Sequence, residues 1–170
     1  MRLLNITRAE GTDISDVLEL VHECIRDMNA HGMVQWNEMY PRDERFVLDI
    51  EKGTLYTMRN EEEIMGIIVL SEEQDPEYGA IDWIDNEGRF MLVHRLAVHP
   101  RWQRQGIATQ LMDFAEAYGK KNDYTSIRID TYSENPRTLK FFEKRGYERK
   151  NGEIFFPETD KPYYCYEIFL

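Results

Sequence analysis

The residues of this 170-residue chain best suited to chemistry lie between His94 and Thr109, where an apolar strand runs into a basic turn and then a helix. Residues 90–98 are nearly all apolar and Pro100 stops them, the pattern of a strand covered on both faces. From Ile107 the period changes, with Ile107, Ala108, Leu111, Met112 and Ala115 recurring at helical spacing. The basic turn therefore sits where a helix presents unpaired backbone N–H groups, and such a terminus binds anions. Gly106 lets the backbone approach a ligand closely, and Ala108 keeps the first helical turn small. Arg95, Arg101 and Arg104 fall within ten residues of an otherwise acidic chain of net charge −11, which suits a local anion site. The stretch reads as a phosphate cradle. No G-x-G-x-x-G follows a strand and no G-x-x-x-x-G-K-[ST] occurs, so neither a dinucleotide-binding fingerprint nor a P-loop is indicated.

The elements that must position this stretch can be read in order. Residues 3–6 form a first strand; Thr12 or Asp13 caps a helix with Ile14, Val17, Leu18, Val21, Ile25 and Met28 on its apolar side. Residues 31–41 hold Met33, Trp36, Met39 and Tyr40, which either line a pocket or pack a helix pair on the sheet. Residues 42–52 look helical, with Gly53 as their stop, and residues 55–58 and 64–70 form a hairpin turning through Asn60, Glu61 and Glu62. Residues 71–88 are acidic and read as a long loop at the sheet edge. Residues 126–131 make the next strand. Asn135 and Pro136 open a helix that Gly146 closes. Residues 147–149 and 163–170 supply the last strands, separated by Asn151, Gly152 and a proline-containing loop. The order implies one domain over residues 1–170 with a mixed α/β sheet and helices on both faces.

Composition narrows the partners. The acidic balance disfavours nucleic acid, because polyanion binding normally needs a basic face. The N-terminal residues turn polar too soon for a signal peptide and no run approaches a membrane span, so a soluble cytoplasmic protein is expected, with Cys24 and Cys165 as reduced thiols. His22 and Cys24 have no second ligand pair at metal spacing, so no metal site is assigned.

The segment Gln103, Arg104, Gln105, Gly106, Ile107, Ala108 matches the [Gln/Arg]-x-x-Gly-x-[Gly/Ala] signature of the GNAT acyltransferase superfamily, and Leu96, Ala97 and Val98 before it resemble that family's strand ending. Residues 135–147 resemble its second motif: an Asn, an apolar-aromatic pair, then Gly and an aromatic. Two motifs in this order are more specific than either alone. The resemblance covers nearly the whole chain and implies a mostly antiparallel sheet with a splayed central strand pair.

It also implies a cofactor site. Backbone groups of Leu96, Ala97 and Val98 would pair with the pantetheine arm of acetyl-CoA, with the oxyanion donor a backbone N–H around Leu96. The amides of Arg104, Gln105, Gly106, Ile107 and Ala108, with Thr109 beside them, would hold the pyrophosphate, and Gln103 and Arg104 would add side-chain donors. Asn135 and its helix would flank the pantetheine or nucleotide end. The implied reaction moves an acetyl group from acetyl-CoA to an amine by direct attack in a ternary complex.

A lysine-like amine, with a pKa of about 10.4, must lose a proton for such an attack. His94 stands two residues before Leu96, so on a regular strand the two side chains share a face, and His94 is the candidate base, with a satisfied core histidine the alternative. His99 reads as a turn residue. Many members of the family carry a tyrosine four residues before the second motif's glycine, as acid for the thiolate; here that position is Phe142. A benzyl ring donates no proton. Tyr132, Tyr147 and Tyr164 are substitutes without specific support, and a non-catalytic acyl-CoA-binding module is the alternative function. The C-terminal strand offers an edge for a homodimer.

Overall fold

The computed structural model describes residues 5–37, 41–157 and 159–170. They group into two compact units, residues 1–70 with 94–115 and residues 71–93 with 116–170.

The first unit contains β1 (Asn5–Arg8), α1 (Ile14–Ala30), α2 (Asp43–Glu51), β2 (Leu55–Arg59), β3 (Ile64–Ser71), the end of β4 (Phe90–Val98) and the start of α3 (Ile107–Lys121). β1 pairs antiparallel with β2, and β2 with β3. The hairpin turns where Asn60 Oδ1 accepts the N–H groups of Glu62 and Glu63, each at 2.8 Å. β3 is buried from Ile64 to Leu70 because both its faces are covered. On one face Ile67 and Val69 join Val17, Leu20, Val21 and Cys24 of α1 and Phe46 of α2 in the core. On the other, Gly66 faces Ile107 and Leu111 of α3. Trp36 also enters the core, 7% exposed and edge-on to Phe46 at 6.3 Å, so at this residue the 31–41 segment packs rather than lines a pocket. Met39 and Tyr40 lie outside the described residues.

The second unit contains the start of β4, the end of α3, β5 (Ser126–Tyr132), α4 (Pro136–Lys144), β6 (Glu148–Ile154) and β7 (Tyr163–Phe169). β4 pairs in parallel with β5 through Phe90–Leu92, and β5–β7 and β6–β7 are antiparallel. The parallel ladder ends there although β4 runs on to Val98, in keeping with the splayed pair expected. The sheet order is β1-β2-β3-β4-β5-β7-β6, a seven-stranded, mostly antiparallel α/β arrangement.

Three expectations change. β7 is bonded on both sides, so the C-terminal strand offers no free edge for a partner; β1 and β6 are the edges. Asn151 and Gly152 do not end a strand but form an irregularity within β6, where Gly152 has φ 101° and a Cβ would lie 2.9 Å from the Ala80 carbonyl oxygen. The segment 71–88 is not an edge loop. It carries a 3-10 turn at Pro76–Ala80 and crosses β5, β7 and β6, because its aromatic and acidic groups find buried partners there. Tyr78 donates to Asp130 of β5, the Ile84 N–H to Glu167 of β7, and the Asp82 N–H to the Asn151 carbonyl of β6. Arg128 of β5 lies between the rings of Trp83 and Phe90 and beside Glu167. No helix among the described residues is long and apolar enough to cross a membrane.

Candidate functional site

The strand-turn-helix stretch forms as read, and its parts are held from several sides within the first unit. The His99 N–H donates to the Met65 carbonyl (2.9 Å), and its Nδ1 accepts the Arg101 N–H (3.1 Å) at the start of the 3-10 turn Pro100–Trp102. His99 is therefore a turn cap. Trp102 Nε1 donates to Glu63 Oε1 at 2.8 Å and Arg101 Nη1 reaches the same oxygen at 3.1 Å, which ties the turn to the β2–β3 hairpin.

Arg104 (φ 61°) and Gly106 (φ 82°) are left-handed and exposed. Left-handed residues in a turn aim successive N–H groups to one side, which makes an anion-binding concavity. The first α3 bond runs from the Gln110 N–H to the Gly106 carbonyl at 3.0 Å, so the N–H groups of Ile107, Ala108 and Thr109 lie ahead of the helical ladder. The first turn holds no acidic residue, while Lys120 and Lys121 occupy the last, so the positive end of the helix is left for an anion. A Cβ on Gly106 would meet nothing within 4 Å, leaving open space above the cradle.

Gly66 sets the height of that helix end, a role the sequence reading did not assign. A Cβ there would fall 2.9 Å from Leu111 Cδ1, 3.0 Å from Ile107 Cγ2 and 3.2 Å from the Ala97 carbonyl oxygen. Only a glycine lets the first turns of α3 sit so close to the sheet. A lone glycine inside an apolar strand was the available signal.

The side-chain donors differ from expectation. Arg95 does not join the anion site: its guanidinium, 8% exposed, makes a bidentate pair with Asp49 of α2, Nε to Oδ2 at 2.6 Å and Nη2 to Oδ1 at 2.9 Å. Gln103 Nε2 donates to the Val98 carbonyl (3.2 Å), which also accepts from Cys24 Sγ (3.3 Å), so both lone pairs of that oxygen are engaged within the fold. Gln105 Nε2 donates to the Arg101 carbonyl at 3.0 Å. Arg104 is in no ion pair among the described residues.

The strand itself is not regular. Arg95 has φ 49° in the middle of β4, a left-handed conformation that costs an L-residue about 1–3 kcal/mol. A shared face for His94 and Leu96 requires an extended residue between them, and Arg95 is not extended. His94 and Leu96 are half-buried and Ala97 is buried.

Cys24 and Cys165 are free thiols. Burial raises Cys24 to about 12, with Asp27 and Glu23 adding, and burial likewise raises Cys165, so both stay protonated. His22 pairs with Asp43 at 3.0 Å across α1 and α2.

In the second unit Asn135 caps α4, its Oδ1 accepting the Thr138 N–H at 3.2 Å. Phe142 is 4% exposed and packs against Phe141, Tyr147 and Tyr166, so its ring supports α4 against β7. Tyr147 donates to Glu116 and is raised by burial and that carboxylate; Tyr132 packs on Tyr163 and is raised by burial, with Asp160 and Glu134 adding. Tyr164 lies under the Arg149 guanidinium. Neither Tyr132 nor Tyr147 is lowered toward a ready proton donor.

The profile described as "Acetyltransferase (GNAT) family" matches residues 18–147. The uncharacterized N-acetyltransferase YesJ of Bacillus subtilis (strain 168) is 25% identical over 142 residues, 82% of this chain and 77% of YesJ. A GNAT-family acetyltransferase of Streptococcus agalactiae 2603 superposes with a TM-score of 0.83 at 20% identity, over 99% of this chain and 96% of that one. The PaiA N-acetyltransferase of Thermoplasma acidophilum, solved in complex with coenzyme A, has a TM-score of 0.71 at 15% identity, over 98% of this chain and 99% of that one.

Proposed function

From the premise that the chain belongs to the acetyltransferase (GNAT) family, we propose that it transfers an acetyl group from acetyl-CoA to a primary amine of a small molecule, amino acid or peptide. The observation that carries this reading is the cradle at the head of α3. Left-handed Arg104 and Gly106 lead into three N–H groups, those of Ile107, Ala108 and Thr109, that lie ahead of the helical ladder, and the space beside Gly106 is open, which fits a pyrophosphate. Coenzyme A in the Thermoplasma protein supports the same cofactor here.

In the proposed reaction the amine nitrogen bonds to the acetyl carbon and the carbon–sulfur bond breaks. The Leu96 N–H donates to the oxyanion that forms between those events, and a fixed donor of this kind is worth about 10²–10³ in turnover. His94, half-buried on β4 beside the left-handed Arg95, is the group assigned to take, directly or through one water, the proton the amine must lose; its nearness in the chain to Leu96, and not a shared strand face, supports this. CoA leaves as a thiolate. A free thiol has a pKa of about 8.5, so departure without a protein acid is tolerable, in keeping with Phe142 at the position where a tyrosine would donate.

Thermal unfolding with acetyl-CoA tests the reading. A ligand at about 100 times its Kd stabilises by about 2.7 kcal/mol, a rise in Tm of about 5–10 °C for a chain of this size. Gly106→Val abolishes the shift, because a β-branched residue resists a φ of 82° and fills the approach to the cradle. An unchanged melt at millimolar acetyl-CoA overturns the proposal. Thiol release with a panel of amines separates turnover from a module that only binds acyl-CoA.

A further inference from the structure

The geometry points to Asp49 as a positioning residue: its grip on Arg95 holds the left-handed turn in β4 that aims the Leu96 N–H. The inference rests on the reading of that N–H as the oxyanion donor.

Arg95 combines two features that do not occur together elsewhere among the described residues. It is a non-glycine residue with positive φ inside a strand; the other two such residues, Arg104 and Asp123, lie in turns. Its charged head is also buried against a buried carboxylate, with side-chain exposures of 8% and 3%. Both ends of the carboxylate are engaged, so the guanidinium is fixed in plane as well as in place. Arg45 Nε stands 3.6 Å from the same Oδ1, which places a second cation against Asp49.

Asp49 is itself held. Its carbonyl accepts the Thr54 N–H at 3.0 Å and the Thr54 hydroxyl at 3.1 Å, which secures the end of α2 to the entry of β2. The contact chain thus runs from β2 through Asp49 to Arg95. The φ of Arg95 sets the direction in which the chain leaves that residue, and so the orientation of the next peptide, which carries the Leu96 N–H. In an extended strand that N–H would point along the ladder, and a left-handed Arg95 turns it away. Nothing in the side chain of arginine favours this conformation, whereas the ion pair selects it. A sheet needing only stability at this point would be served by an apolar residue in extended geometry.

The test ranks substitutions at position 95 by their tolerance of positive φ. With acetyl-CoA and the fastest amine of a panel of amino acids and polyamines, kcat is expected to fall in the order Arg95→Gly, Arg95→Ala, Arg95→Val, the last about 100-fold below wild type. Asp49→Asn lowers kcat about tenfold or more, while the Kd for acetyl-CoA changes less than about threefold, because the cradle at 104–109 is untouched. Adding Arg95→Gly to Asp49→Ala recovers turnover, since glycine accepts the turn without the grip. An ion pair that served stability alone would move Tm in every variant, give no such ranking in kcat and show no rescue. A crystal structure of Asp49→Asn supplies a readout independent of activity: φ at Arg95 leaves the left-handed region. A positive φ retained there, or Arg95→Gly as impaired as Arg95→Val, overturns the inference. Failure of acetyl-CoA to shift the wild-type melt would instead overturn the acetyltransfer reading, and the φ of residue 95 would still decide the role of Asp49.

Discussion

Asp85 is buried in the segment before β4 and accepts from the Thr125 hydroxyl, from Ser126 Oγ at 2.7 Å and from the Gly88 N–H at 2.9 Å. Burial works to raise its pKa, but those hydrogen bonds and the Arg128 charge outweigh it, and the carboxyl titrates below its ordinary range. The unfolded chain then binds the proton more tightly than the folded one. The stabilisation is complete above the unfolded value of about 3.9 and disappears as pH falls through the lower folded value. Replacing Asp85 by Asn is therefore expected to lower stability at pH 7, with the gap to wild type narrowing below about pH 4. Urea unfolding at several pH values measures it, and a gap constant into acid would show that Asp85 contributes through shape alone. No composition or spacing signalled this residue. Its acidic neighbours in 71–88 suggest a solvated loop, and its partners lie about forty positions away in the chain.

Among the elements, β4 and α3 were readable because burial on both faces of a strand and on one stripe of a helix leaves different periods in the sequence. Proline and glycine boundaries marked their ends for the same local reason. What could not be read there depends on contacts between elements. Arg95 reads as a cation beside a basic turn, yet the buried Asp49 of α2 claims it and bends the strand between His94 and Leu96. Gln103 fits the signature, but its amide ties the turn to the strand end. Gly66 belongs to the same class, a residue whose reason is the neighbour that crosses it. Gly66→Ala should cost about 1–3 kcal/mol in urea unfolding, since the new methyl meets Leu111, Ile107 and the Ala97 carbonyl. It should also shrink the acetyl-CoA-induced rise in Tm, because the displaced first turn of α3 carries the cradle. Stability equal to wild type with an unchanged ligand shift would show that Leu111 yields and that the glycine does not set the helix position.

At the scale of the molecule, a chain of net charge −11 has to take up an anionic cofactor. Three arginines near the cradle would make strong local attraction a natural solution, but Arg95 is neutralised by Asp49 and Arg101 is paired with Glu63. What remains is Arg104 and a set of backbone N–H groups. Those amides act over hydrogen-bond distances, where salt screens weakly, whereas the field of the acidic body acts at long range and opposes approach. Salt then has two opposed effects: it weakens the Arg104 contact and relieves the long-range repulsion. Between about 0.01 M and about 0.15 M ionic strength the Debye length falls from about 30 Å to about 8 Å. Over that range the Kd for acetyl-CoA is expected to move less than about threefold, with a faster on-rate at the higher salt. Arg104→Ala should weaken binding more at low salt than at high, because it removes the one arginine of the three that is in no ion pair among the described residues and leaves the amides. Calorimetry together with stopped-flow binding measures both. A tenfold or steeper loss of affinity with salt would mean that side-chain cations, and not the turn's backbone, hold the phosphates.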